Sequence, residues 1–164
     1  MSFRSACFIG FFACVGLMAY ALYAQHGLGL EPCPLCIFQR VAVMVTGAVF
    51  LLAALHAPRK GGRWAYATLA VIAAAVGAGV AGRHVWLQSL PPDQVPSCGP
   101  GLEYMMDTFP FMQALRMVFS GSGECAEVDW TLLGQSMPVW TLAAFIGLAL
   151  WALFAAARSR HPVH

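Results

Sequence analysis

Four stretches of this chain are apolar enough, for long enough, to cross a lipid bilayer, and this limits what the chain can fold into. Crossing roughly 30 Å of hydrocarbon as a helix takes about 20 consecutive apolar residues. Ala6–Ala24 carries no charge and follows Arg4; Ile37–Leu55 is apolar apart from Gln39 and Arg40 near its start. Trp64–Gly82 is uncharged between Arg63 and Arg83, and Val139–Ala157 is uncharged between Pro138 and Arg158. Backbone groups in lipid must be satisfied within the protein, so a span is a helix or part of a closed barrel. No segment alternates strictly with period 2, which leaves a barrel without support. The predicted fold is all-α: a polytopic membrane protein, one domain over 1–164, built as a four-transmembrane-helix bundle.

Composition excludes the main alternatives. The chain is 60% hydrophobic and 10% charged, where a soluble domain runs about 45–50% and about 25%. So few charges could not solvate a globule of this size, and disorder needs the opposite composition. The formal net charge is +2 with no Lys/Arg block, so there is no nucleic-acid footprint. A cleaved signal peptide is a rival reading of the first stretch, with Arg4 as its basic end and Ala19-Tyr20-Ala21 as the cleavage site. The apolar run is longer than such segments use, and three further spans follow it.

Charge placement predicts orientation. Arg4, Arg59, Lys60, Arg63, Arg158 and Arg160 fall at the two termini and in the second connection, while all 7 acidic residues fall in the other two connections. The positive-inside rule then puts both termini in the cytoplasm and loops 25–36 and 89–136 outside. Packing between spans should use small residues, and Ala73/Gly77 and Ala75/Gly79 each sit one turn apart in the third span.

The 6 cysteines divide according to this topology. Cys7 and Cys14 lie within the first span, roughly 10 Å apart along a helix axis at 1.5 Å per residue, which is beyond disulfide reach. They read as small buried hydrophobes. Cys33 and Cys36 lie at the mouth of the second span, and Cys98 and Cys125 lie in the long outer loop. These four can pair if the outer compartment is oxidising.

Pro32-Cys33-Pro34-Leu35-Cys36 is the most informative segment. Pro34 suits the first turn of a helix, where no backbone donor is needed. Cys33 then stands near the N-cap and Cys36 in the first turn, where unpaired N–H groups and the helix dipole favour a thiolate. Arg40 follows one turn below Cys36 and adds to that pull. The pattern points to redox chemistry; a purely structural disulfide and half of a zinc site are the alternatives. A zinc ribbon wants a second tight pair, which Cys98 and Cys125 do not form, and no metal is expected.

Cys98 sits in the turn-rich Pro96-Ser97-Cys98-Gly99-Pro100, and Cys125 follows the flexible Ser120-Gly121-Ser122-Gly123-Glu124. A cysteine that changes partners needs such a hinge; a static staple does not. Between them Leu102–Phe119 is rich in Met and Phe but interrupted by Pro110. It reads as a short interfacial helix, with a loop packed on the bundle as the alternative.

Taken together, these residues resemble the disulfide bond formation protein B (DsbB) family, bacterial inner-membrane proteins. The resemblance covers nearly the whole chain: Gln25-His26, Pro32-Cys33-Pro34-Leu35-Cys36-Ile37-Phe38-Gln39-Arg40, His84, Cys98, Gly123-Glu124-Cys125-Ala126-Glu127, Trp130 and Met137-Pro138-Val139-Trp140. Gln39 departs from the family, whose members often carry an acidic residue there. The resemblance implies a thiol:quinone oxidoreductase with Cys33, Cys36, Cys98 and Cys125 as catalytic residues. It implies a periplasmic DsbA-like thioredoxin-fold dithiol partner that attacks a Cys98–Cys125 disulfide through Cys98. The freed Cys125 then reaches Cys33, leaving Cys36 beside ubiquinone or menaquinone from the membrane pool. Arg40, Cys36 and His84 are the implied quinone-binding residues, and Trp130 and Trp140 the aromatic-belt anchors. Two rival functions stand beside this one: a non-enzymatic, disulfide-braced binding module, and an enzyme like vitamin K epoxide reductase. In the latter family the redox CxxC belongs to the last span, whereas here it opens the second.

Overall fold

A computed structural model describes residues 2–58, 60–91, 93–95, 108–110, 112–113, 123–128 and 130–158. Four long helices dominate it: α1 (Phe3–His26), α2 (Pro34–His56), α3 (Lys60–Gln88) and α4 (Met137–Arg158). All four are long and apolar enough to cross a membrane. They extend beyond the apolar runs at both ends, since a helix persists into the interface for as long as its backbone is hydrogen-bonded within the segment. Local chemistry sets the ends. Ser2 caps α1, its hydroxyl accepting from the Ser5 N–H at 3.1 Å. Pro34 opens α2 and left-handed Ala57 closes it, with Pro58 preventing continuation.

The α1–α2, α2–α3 and α3–α4 faces carry most of the packing, α1 and α4 touch less, and α2 and α4 barely meet. This is an up-and-down bundle. Its core is narrow because small residues line it: Ala70, Ala74 and Ala81 of α3, Ala53 and Ala54 of α2, and Ala152 and Ala155 of α4 are all buried. Cys7 and Cys14 belong to the same core, with Cys14 seated against Gly47. The thiols there fill space as small hydrophobes. Tyr66 hydrogen-bonds His56 across the short α2–α3 connection. The Trp151 indole N–H donates to the Ala6 carbonyl at 2.9 Å, joining α4 to α1 at the end remote from Cys33.

The small-residue stripe of α3 is only half as expected. Ala73 and Gly77 face the bundle, and Gly77 lies flat against the Phe145 ring of α4. Ala75 and Gly79 are exposed on the lipid side, and among the described residues nothing lies within 4 Å of a Cβ placed at Gly79. At 3.6 residues per turn, two pairs offset by two positions cannot share a face.

A β-hairpin precedes α4, pairing β1 (Thr131–Leu132) with β2 (Gln135–Ser136). Leu133 and Gly134 both have positive φ, 52° and 77°, the backbone of a two-residue hairpin turn. The Trp140 indole N–H donates to the Leu132 carbonyl at 3.1 Å, and Gln88 of α3 accepts from Ser136 at 2.6 Å. The outer loop is thereby clipped to both helices that flank it. Most of the expected interfacial segment 102–119 lies outside the described residues, as does Cys98. Within that segment Phe109 packs against the buried cluster around Leu35 and Leu87.

Gly77 supplies a test of the helix packing. An alanine Cβ there would lie 2.3 Å from ring carbons of Phe145, itself only 1% exposed. Gly77→Ala is expected to cost about 1–3 kcal/mol in detergent–micelle unfolding. Gly79→Ala is expected to stay within about 0.5 kcal/mol of the parent. Equal effects at the two positions would contradict this α3–α4 interface.

Candidate functional site

The site is built where α2 begins and α3 nears its end. Cys33 is the N-cap of α2, with extended backbone and no side-chain cap bond, and its carbonyl accepts from the Ile37 N–H at 3.2 Å. Pro34 supplies the first helical residue, so Cys36 falls in the first turn on the same face as Cys33. The Cys33 and Cys36 sulfurs lie 3.2 Å apart. The first turn of a helix has N–H groups without intrahelical acceptors, which makes this end of α2 electropositive, and Arg40 follows one turn further on.

His84 of α3 meets the pair side-on. Its Nε2 is 3.8 Å from Cys33 Sγ and its Nδ1 is 3.9 Å from Cys36 Sγ. Gln39 holds the ring from the next turn of α2, its side-chain amide 3.1 Å from Nδ1. Both residues are almost wholly buried, Gln39 at 5% exposure and His84 at 3%. Buried polar groups in an apolar bundle need partners, and these two supply them for each other. Among the described residues no buried side-chain nitrogen or oxygen lacks one.

Cys125 closes a three-residue 3-10 turn, Gly123–Cys125, and is fully buried with Leu35, Val80 and Leu87. Cys33 packs against that same cluster. The loop cysteine and the helix cysteine therefore share one apolar pocket, although their positions in sequence are far apart. Gln88 steadies the approach, its amide N–H donating to the Glu127 carbonyl at 3.3 Å.

A cavity of about 760 Å³ opens beside the pair, between α1 and α4, with α2 and α3 behind it. Cys36, Gln39, Arg40 and His84 line its polar wall, and Met18, Val43 and Phe145 are among its apolar lining. Tyr20 and Trp130 meet over it at 6.0 Å between ring centroids. Arg40 does not simply reach for the interface. Its guanidinium donates to Gln25 Oε1 at 2.5 Å and to the Ala21 carbonyl at 3.0 Å, fastening α2 to the last turns of α1. A guanidinium has five N–H donors, so these two bonds do not exhaust it, and Arg40 also lines the cavity.

Comparison with known proteins decides the family. The family model "Disulfide bond formation protein DsbB" matches residues 3–155. The chain belongs to the DsbB family. A "Disulfide bond formation protein B" of Xanthomonas campestris pv. campestris (strain 8004) is 53% identical over 161 residues, 98% of this chain and 94% of the relative. The protein of that name from Nitrosococcus oceani is also 53% identical, over 97% of this chain and 94% of its own length. That of Hahella chejuensis is 55% identical over 91% of each. The chain is thus a multi-pass membrane protein of disulfide bond formation, and family membership makes it a redox enzyme rather than a passive binding module.

Of the residues singled out in sequence, the structure brings together Cys33, Cys36, Arg40 and His84, and places Cys125 beside them; Cys98 is outside the described residues. Sequence reasoning missed the work of Gln39, Gln25 and Gln88. The available signal was a polar amide at the end of an apolar span, where an unneeded one would be replaced by lipid-compatible side chains. The shared pocket of Cys33 and Cys125 generates a direct test. With Cys36 and Cys98 both changed to Ser, a Cys33–Cys125 disulfide is expected to accumulate on mild oxidation and to be visible by mass spectrometry of peptides. Its absence from folded protein would mean that the two cysteines do not exchange.

Proposed function

We propose that this protein is a thiol:quinone oxidoreductase of the bacterial inner membrane, which reoxidises a periplasmic DsbA-like dithiol protein and delivers the electrons to ubiquinone or menaquinone. The observation that carries this reading is the cavity. A paired dithiol opens onto an apolar chamber within the membrane-spanning bundle, and hydrogen-bond donors stand at that same wall. A chamber of this kind, largely apolar with a few convergent polar groups, fits a lipid-soluble carbonyl compound. A quinone bound there supplies a two-electron, two-proton acceptor that returns Cys33 and Cys36 to the disulfide.

The chain's own residues account for the remaining chemistry. The partner's dithiol is oxidised as a Cys98–Cys125 disulfide is reduced, with Cys98 taking the partner's sulfur. Freed Cys125 attacks Cys33 of the Cys33–Cys36 disulfide and displaces Cys36. The partner's second thiol displaces Cys98, and the partner leaves as a disulfide. Cys98 then attacks Cys125, which restores Cys98–Cys125 and leaves Cys33 and Cys36 as the dithiol. Each exchange breaks one S–S bond and makes another. The helix terminus and Arg40 favour negative charge on Cys36 as it becomes the leaving sulfur. Arg40 offers its remaining N–H groups to a carbonyl oxygen that gains negative charge. His84, held by Gln39, presents one ring nitrogen to each sulfur and can take or return a proton at either. Both termini are cytoplasmic in this reading, and the α1–α2 and α3–α4 connections face the periplasm, which is where the dithiol partner is found.

Steady-state turnover with purified protein, a reduced thioredoxin-fold dithiol protein and a soluble quinone analogue tests the reading. Quinone reduction is expected in the parent and should disappear in Cys33→Ser and Cys36→Ser. Arg40→Lys keeps the charge but loses the fork, so it should raise the KM for quinone roughly ten- to hundredfold, the equivalent of about 1.5–3 kcal/mol for one charged hydrogen bond. The KM for the dithiol protein should not move. A quinone KM unchanged in both Arg40→Lys and Arg40→Ala would leave Arg40 only its tie to Ala21 and Gln25.

A further inference from the structure

We propose that the reduced protein holds a thiophilic divalent cation of the zinc type at Cys33, Cys36 and His84, and that this site exists only while the two cysteines are thiols. The inference goes beyond the redox cycle and does not depend on the identity of the electron acceptor. It rests on the convergence of three soft ligands. One ligand atom from each residue can be chosen so that all lie within 4.8 Å of one another, on two helices packed in the same bundle.

Two edges of a tetrahedral site are already close to their lengths. Zn–S bonds of about 2.3 Å and Zn–N bonds of about 2.0–2.1 Å place neighbouring ligand atoms about 3.5–3.8 Å apart. The sulfurs are 3.2 Å apart, and Cys33 Sγ is 3.8 Å from His84 Nε2. Cys36 Sγ is 3.9 Å from the other ring nitrogen, Nδ1, so a rotamer change at Cys36 that carries its sulfur toward Nε2 completes three corners of a tetrahedron. No carboxylate takes part, and two thiols with one imidazole select zinc over magnesium or calcium. Two thiolates cancel the charge of the ion, so it adds no net positive charge beside the positive end of α2 and Arg40.

Gln39 already stands against the imidazole. A metal-bound histidine usually donates its other ring N–H to a fixed acceptor, which sets the tautomer. With the ion on Nε2, the proton sits on Nδ1, 3.1 Å from the side-chain amide of Gln39. An amide can present its oxygen as readily as its nitrogen, so after a half-turn of its terminal group Gln39 accepts a hydrogen bond from that N–H. The fourth position faces the cavity, where water or an external thiolate can occupy it. Oxidation of the pair to a disulfide removes both thiolates, and the site disappears.

Cobalt(II) is the probe, because its thiolate complexes absorb light where the free ion does not. Full-length protein is reduced, freed of reductant without air and titrated with Co2+. We expect a thiolate-to-cobalt band that saturates at one ion per chain and bleaches on adding Zn2+. The oxidised protein should give no band. Cys98→Ser/Cys125→Ser should retain it, Cys33→Ser/Cys36→Ser should lose it, and Gln39→Leu should weaken the affinity roughly ten- to hundredfold. Protection provides a second readout that needs no variant: Zn2+ should shield Cys33 and Cys36 of the reduced parent from alkylation, as read by mass spectrometry. The proposal is overturned if the reduced parent shows neither band nor protection. It is equally overturned if the band survives loss of Cys33 and Cys36 or vanishes with Cys98 and Cys125.

Discussion

The contact between the first turns of α2 and the outer part of α3 is the constraint on which the rest of the structure depends. In a bundle surrounded by lipid, an unpartnered polar side chain costs several kcal/mol, so polar residues on facing helices must find one another. Gln39 and His84 do so across the α2–α3 seam, and in doing so they set the rotation of each helix about its own axis. That rotation turns Cys33 and Cys36 toward the imidazole. Leu35, Val80 and Leu87 pack beside them as the apolar half of the same seam, and Cys125 is seated among them. One cross-helix hydrogen bond thus positions the helix dithiol and, through its apolar neighbours, the loop cysteine.

The cavity follows from the opposite circumstance. Where α2 and α3 pack tightly, α1 and α4 meet less, and the Trp151 indole and the Ala6 carbonyl join them at the far end. Arg40 braces the open end by holding the Ala21 carbonyl and Gln25 of α1. Its charge therefore serves two purposes: it satisfies carbonyls near the end of a helix, where cations are favoured, and it keeps N–H donors at the cavity wall. The clipped hairpin, anchored by Trp140 and Gln88, forms the rim above it.

Much of this was legible in the sequence because lipid leaves few choices. Uncharged runs of sufficient length fold as helices, and Pro34 marks where α2 must begin, which fixes Cys33 and Cys36 one turn apart. The helix-face relations were harder to read. Ala75 and Gly79 look like Ala73 and Gly77 in composition, and only the bundle distinguishes the face that meets Phe145 from the face that meets lipid. The hairpin at Leu133-Gly134 escaped notice because its strands are two residues long and a leucine with positive φ is not a turn signal. A polar amide near the end of an apolar span marks Gln25, Gln39 and Gln88 as needing partners, but the long-range partner that each finds is not encoded locally.

The proposed function rests on electron transfer from the Cys33/Cys36 dithiol to a quinone lodged beside it. An anaerobic single-turnover experiment tests this most directly, using reduced Cys98→Ser/Cys125→Ser protein mixed with one equivalent of quinone and no dithiol partner. The expected result is one quinol formed for each Cys33–Cys36 disulfide, the first measured by absorbance and the second by peptide mass. Disulfide formation without quinol, or quinol formation while Cys33 and Cys36 remain thiols, would contradict the account.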